Sequence, residues 1–289
     1  VTISLRAAGA ATSASAAVTA VNPVVPTGAT TGDLSVLTVW MKPFGTTITT
    51  PSGWTKIGEA TNGTVAAGTD TGSTKVAVFV RESASAGAIG NLTLGGSPNS
   101  VGAVINTYQK DPATAWDYSQ FTTGGDTANG ANYSATGGAG IDVAAGDWVC
   151  QSTAVNGDVG TQSAQAIGGM SGATIGTYVN RQSADTTTGT DSHGEVGDVP
   201  ITAGSSSAAP TFTYTNASSG SGTTLWLRLR ELALPAATQA AFRVYQDGTE
   251  AGSTALAAQG ATPTVDVTAG DVNVGLRIRL QETAGAAYA

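Results

Sequence analysis

Short runs in which apolar residues alternate with Thr, Ser or charged residues recur along the whole chain, and a helical periodicity is nearly absent. Val1-Thr2-Ile3-Ser4-Leu5 alternates in this way, the pattern of a strand with one buried face. Residues 33–41 form a longer β-rich run closed by Pro43 and Gly45, and 75–81 set Val76, Val78 and Val80 on one face. Residues 101–108, 148–155, 175–181 and 210–214 read as further strands, and 225–232 give the cleanest alternation. The Ala-rich stretch 7–20 has helical propensity, but Gly9 and interleaved Thr, Ser and Val make it an extended segment. Gly124-Gly125-Asp126, Gly137-Gly138-Ala139-Gly140 and Ser218-Ser219-Gly220-Ser221-Gly222 read as turns. Many short strands with Gly-rich connections predict an all-β fold: a large antiparallel β-sandwich, jelly-roll-like, followed by a small antiparallel β-domain.

Two internal echoes place the boundary. Gly-Asp followed by alternating apolar residues occurs at Gly32-Asp33, Gly146-Asp147 and Gly270-Asp271, each a turn feeding a strand. Residues 225–231 and 276–282 share the pattern Leu-x-Leu/Ile-Arg-Leu-x-Glu, as the closing strand of two separate units. Residues 1–234 are therefore expected to form the large sandwich and 235–289 a small sandwich-like module. Within that module 241–245 predict a strand, Asp247-Gly248 a hairpin turn, and 264–267 and 272–280 the remaining strands. About 50 residues are marginal for independent stability, so the module is expected to pack on a neighbour.

Composition narrows the function. Of 289 residues only 11% are charged while 40% are hydrophobic, so solubility rests on Thr, Ser, Asn and backbone amides. The net charge of −8 repels phosphate, and the 12 Lys and Arg do not cluster, which argues against nucleic-acid binding. No apolar run reaches the ~20 residues that span a bilayer, so membrane insertion is not expected, and the N-terminus carries no signal-peptide pattern. Cys150 is the only cysteine; it sits in a strand-like run and reads as a buried, inert thiol.

Candidate chemistry is sparse. His193 is the only histidine, no Gly-x-Ser-x-Gly elbow occurs, and the Gly clusters lead into neither a helix nor a lysine, so hydrolytic triads and phosphate loops are not expected. Residues 185–198 hold Asp191, His193, Glu195 and Asp198 among glycines. Asp191, Glu195 and Asp198 could supply the oxygen ligands of a calcium loop, against the plainer expectation of a solvated acidic loop. Trp40, Trp54, Trp148 and Trp226 fall in strand runs and read as core. Trp116 and Tyr118, after Asp111-Pro112, and Tyr133, between Gly/Asn-rich turns, are loop aromatics that could stack on sugars, against the plainer expectation of packing over a sheet edge.

The order of short motifs resembles a family of bacteriophage tail and virion structural proteins with β-sandwich domains. The matching elements are Ala8-Gly9-Ala10, Thr31-Gly32-Asp33-Leu34, Pro51-Ser52-Gly53-Trp54, the apolar strand 76–80 ending in Arg81, and Ala145-Gly146-Asp147-Trp148. They cover roughly residues 1–232, and the C-terminal module resembles small β-domains of tail-associated proteins. The resemblance implies a virion protein, tail- or baseplate-associated or a head decoration or fibre, that assembles with other virion proteins and forms a homo-oligomer, a trimer being favoured. It carries over no catalytic residue, so a non-enzymatic role without a cofactor is expected. The competing expectations are a glycan-binding module or adhesin facing a host surface glycan and, further off, a polysaccharide depolymerase.

Overall fold

Nearly every residue of the expected strands 33–41 and 101–108 is buried, on both faces of the sheet they form. The computed structural model describes residues 3–15, 20–68, 71–82, 86–157, 162–186, 191–234, 237–246 and 274–282. Among these no helix occurs, and every pairing is antiparallel. The principal strands are β1 (Ser4–Ala8), β2 (Leu34–Lys42), β3 (Thr55–Gly68), β4 (Thr71–Glu82), β5 (Ser100–Gln109), β6 (Thr114–Asp117), β7 (Phe121–Thr136), β8 (Trp148–Asn156), β9 (Val179–Asp185), β10 (Ser192–Ser206), β11 (Thr211–Ala233), β12 (Ala237–Gln246) and β13 (Val274–Glu282). The chain divides into two units, Val1–Leu232 and Ala233–Ala289, close to the boundary expected at 234.

The first unit is a sandwich of two sheets, ordered β1-β5-β2-β4-β3 and β7-β11-β8-β10-β9, with β6 also beside β11. Each sheet takes its strands from one half of the unit. A jelly roll interleaves both halves across both sheets, and that interleaving is not seen among the described strands. Alternation along β2 sends Leu34, Val36 and Trp40 into the core between the sheets and Leu37, Val39 and Met41 into an outer core under Val21, Ile48, Trp54 and Leu92. The second sheet is covered likewise, its outer core built on Tyr133, Val149, Val199, Phe212 and Trp226. Two covered faces explain why these strands look apolar throughout rather than half polar.

The two sheets are copies of one plan. Register matches β2 with β8, β4 with β10, β5 with β11 and β3 with β9: Leu34 pairs Glu82 and Tyr108, as Trp148 pairs Pro200 and Leu229. Even the irregularities agree, because β3 slips between Lys56 and Gly58 where β9 slips between Asn180 and Gln182. Both β2 and β8 open on a glycine at positive φ, Gly32 at 91° and Gly146 at 96°. In both turns the following aspartate accepts from a backbone amide three residues earlier, Thr30 N to Asp33 and Ala144 N to Asp147. Thr38 and Ser152 occupy matching positions and hydrogen-bond each other at 2.7 Å. Equivalent positions of the two halves therefore meet between the sheets.

Glycine is used where backbones or rings approach closely. Trp40 lies in a slot between the sheets: a Cβ on Gly194 would fall 1.9 Å from its ring and one on Gly102 2.2 Å. The expected turns at 124–126 and 218–222 are corrected, since both lie inside the long strands β7 and β11. Their glycines allow close crossing instead: a Cβ on Gly124 would sit 2.0 Å from Thr136 O, and one on Gly222 2.3 Å from Ala154 O. The strands expected at 210–214 and 225–232 are thus one strand. Asn62, on the edge strand β3, donates through Nδ2 to the carbonyls of Asp126 (2.6 Å) and Gly222 (2.7 Å), which ties that edge to the second sheet.

In the second unit β12 and β13 pair from Ala237↔Glu282 to Gln246↔Val274. The Asp247-Gly248 turn, the third Gly-Asp echo and the strand at 264–267 lie outside the described residues.

Candidate functional site

Buried His193, Glu195 and Asp198 lie together on β10, between β8 and β9. The region 191–198 is not a solvated loop: from Ser192 onward it belongs to β10, flanked by β8 and β9, and Asp191, His193, Glu195 and Asp198 are all at most 3% exposed. Alternation sends Asp198 towards the core between the sheets and Glu195 to the outer face, so the two carboxylates diverge. Among the described residues no three His, Cys, Asp or Glu side chains come together as a metal ligand set, and Asp191, Glu195 and Asp198 do not converge.

On the inner side Asp198 accepts a fork of two bonds from Arg181, Nε and Nη2 both at 2.8 Å, and a third from Tyr108 OH at 2.8 Å. The Arg181 guanidinium lies 5.8 Å from the Trp148 ring, and Tyr108 meets that ring edge-on at 6.0 Å. Burial and the Asp198 charge push the Tyr108 hydroxyl well above its ordinary pKa, and burial pushes up the thiol of Cys150, which is buried as expected. The first half has Val80 and Ile57 where the second has Asp198 and Arg181, and the second half has Leu229 where the first has Tyr108.

On the outer side Glu195 Oε1 accepts from Tyr178 OH at 2.7 Å, and that hydroxyl also lies 2.9 Å from Gln151 Oε1. His193 bonds Asp185 through Nδ1 at 2.5 Å, with the Gln162 carboxamide 2.6 Å from Nε2. Glu195 Oε2 has no hydrogen-bond partner among the described residues and lies 3.8 Å from His193 Nε2. Burial opposes charge on His193, but the bond to Asp185 and the nearby Glu195 carboxylate outweigh it, so its pKa is raised. The network ends on Thr153, Thr224 and Tyr133, which are joined by hydroxyl bonds of 2.8 Å.

The three aromatics singled out for stacking on sugars separate. Tyr133 is corrected: it lies in β7, 1% exposed, stacked on Tyr214 at 5.0 Å, because Gly and Asn interrupt the apolar alternation without breaking the strand. Trp116, on β6, donates from Nε1 to Gly32 O at 2.9 Å, and Tyr118 OH donates to Glu82 at 3.2 Å, so both are committed to the corner beside the first Gly-Asp turn. Cavities lie beside both Gly-Asp turns, the one at the first turn being about 360 Å³ and lined by Arg6, Thr30, Gly32, Asp33, Lys110 and Pro112. The one at the second turn, of about 450 Å³, is lined by Ile3, Ser4, Asp147, Trp148, Pro200 and Thr202. Trp148, expected in the core, is only partly buried there. Sequence reasoning missed Arg181, Tyr108 and Tyr178, whose roles arise from strands distant in sequence. The available signal was the bulky Trp148 after a Gly-Asp turn that elsewhere precedes Leu34.

Comparison with protein-family models, with curated proteins and with solved structures gives no match for this chain.

Proposed function

We propose that the chain is a structural protein of a bacteriophage virion, tail- or baseplate-associated or a head decoration or fibre, that acts without catalysis by assembling and presenting a surface. The observation that carries this reading is the use made of the interior ionisable groups. Asp198 is held by Arg181 and Tyr108, Asp147 by Arg230, and Asp117 by Arg228, so charge in this unit pins strands to one another. Both faces of both sheets are covered, which favours a stiff frame whose outer surface does the work. The short Gly-Asp and Gly-Trp turns that resemble the virion family support the same reading, and each is a structural turn here.

Light scattering on the purified chain over a range of concentrations tests it. A stable homo-oligomer, a trimer by preference, is expected; a strict monomer at the highest concentration would count against assembly as the function. Detection of the chain in purified particles by mass spectrometry would tie the oligomer to a virion.

A further inference from the structure

Strand pairing gathers arginines that lie far apart in the sequence. In the second unit the register sets Arg243 opposite Arg277 and Ala241 opposite Arg279. Alternation therefore places Arg243, Arg277 and Arg279 on one face of the β12–β13 ribbon, and Phe242, Val244, Leu276, Ile278 and Leu280 on the other. The chain has only 12 Lys and Arg against 20 Asp and Glu, so three on one face is a marked concentration. Among the described residues of this unit the one acid, Glu282, falls on the face of Leu280. Like charges directly opposite each other destabilise a strand pair, so a face built this way calls for carboxylates to offset it.

The first unit shows how the same pattern is met. Residues 225–231 and 276–282 share Leu-x-Leu/Ile-Arg-Leu-x-Glu, so Arg279 stands where β11 has Arg228. On β11, Leu225, Leu227 and Leu229 enter the core between the sheets, and the arginines alternate onto the opposite face. Each is held by a carboxylate from another segment of polypeptide, Arg228 by Asp117 and Arg230 by Asp147. The first unit also has carboxylates to spare, with 15 Asp and Glu against 9 Lys and Arg. Two of them, Glu82 and Asp142, are exposed and flank one short segment: Tyr118 OH donates to Glu82, and Gln120 Nε2 to Asp142, each at 3.2 Å.

We propose that the arginine face of β12 and β13 docks on the acidic surface around Glu82 and Asp142 on the first unit of a second copy of this chain. Charge complementarity selects the occupant, and the aspartates that meet the matching arginines of β11 favour polypeptide carboxylates over an acidic glycan. The proposal rests on the assembly reading and gives it a contact. Unlike surfaces meet head to tail, and such a contact closes into a ring when the rotation between copies allows it.

Sedimentation velocity on the full chain reads the contact without any variant. Self-association should weaken by about tenfold or more between about 50 mM and about 500 mM NaCl, because salt screens exposed charge. Arg243→Gln with Arg277→Gln should weaken it by about tenfold or more at low salt, and so should Glu82→Gln with Asp142→Asn. Each double variant keeps the surface that the other has lost. An equimolar mixture should therefore regain one-to-one pairs that neither forms alone, an outcome that a misfolded variant could not give. An oligomer unmoved by salt and by both double variants overturns the proposal and leaves the assembly reading intact. A parent chain that stays monomeric overturns both. Loss of the oligomer in each variant without recovery in the mixture overturns the pairing of these two surfaces. A lower melting temperature for the arginine variant with its oligomer unchanged overturns the proposal in favour of carboxylates of the same module. Capture of a polysulfated glycan by a monomeric parent chain overturns it in favour of a glycan site.

Discussion

Asp198 and Arg181 stand where the first half has Val80 and Ile57, so the molecule contains its own control for a buried ion pair. Removing one partner strands the other: Asp198→Asn is expected to cost about 3–5 kcal/mol by urea unfolding. Arg181→Ile with Asp198→Val, made together with Tyr108→Phe so that no hydroxyl loses its acceptor, rebuilds the apolar set and should recover most of that loss. A triple variant as unstable as the single one would show that the pair is needed for folding rather than tolerated. His193 gives a pH effect with a definite sign. Its folded pKa is raised above its ordinary value, so its contribution to stability is complete below that ordinary value and is lost as pH rises through the folded pKa. Thermal melts should therefore fall from mildly acidic to alkaline pH, and His193→Gln should flatten that slope. None of these partners could be seen from the local sequence. Acidic residues alternating with glycine between 189 and 198 look solvated, and burial comes from Tyr108, Arg181 and Tyr178, residues on other strands.

At the scale of elements, strand existence was legible and strand continuity was not. The runs at 33–41, 75–81, 101–108 and 148–155 correspond to β2, β4, β5 and β8, because their alternation survives burial on both faces. Strands β7 and β11 were cut at their glycines, where the physical demand is close backbone approach rather than a turn. Gly194 gives the sharpest test. A methyl there meets the Trp40 ring at 1.9 Å, and a ring wedged between two sheets has little room to retreat. Gly194→Ala should destabilise by roughly 1–3 kcal/mol, the usual penalty of overpacking, while Gly138→Ala in the nearby loop should be close to neutral. Comparable unfolding midpoints for the two variants would mean the slot is looser than the geometry indicates.

On the scale of the whole first unit, the Gly-Asp echo announced a repeat but not its symmetry, since the matched positions carry unlike residues: Leu34 against Trp148, Val80 against Asp198, Trp40 against Ala154. What persists is register, bulge position and turn geometry, which only pairing reveals. Each sheet completes its inner core on the other, with Val76, Val78 and Val104 in one cluster with Val196, Leu225 and Leu227. The halves should accordingly unfold together. Near-ultraviolet signals from variants that keep only Trp54 or only Trp226 should share one denaturant midpoint, and two separated midpoints would show independent halves.

Thr38 touching its counterpart Ser152 has one more effect. A polypeptide that folds by closing like upon like offers the same invitation to its neighbours, and only residues 110–113 join the end of β5 to β6. The Trp40 slot needs glycine at 194, which the first half replaces with Val76, so two first sheets are a poor match. A first sheet from one molecule and a second from another would satisfy every bond of the native closure. Chains refolded in crowded solution should therefore interlace into reciprocal pairs, with each sandwich assembled from two parents.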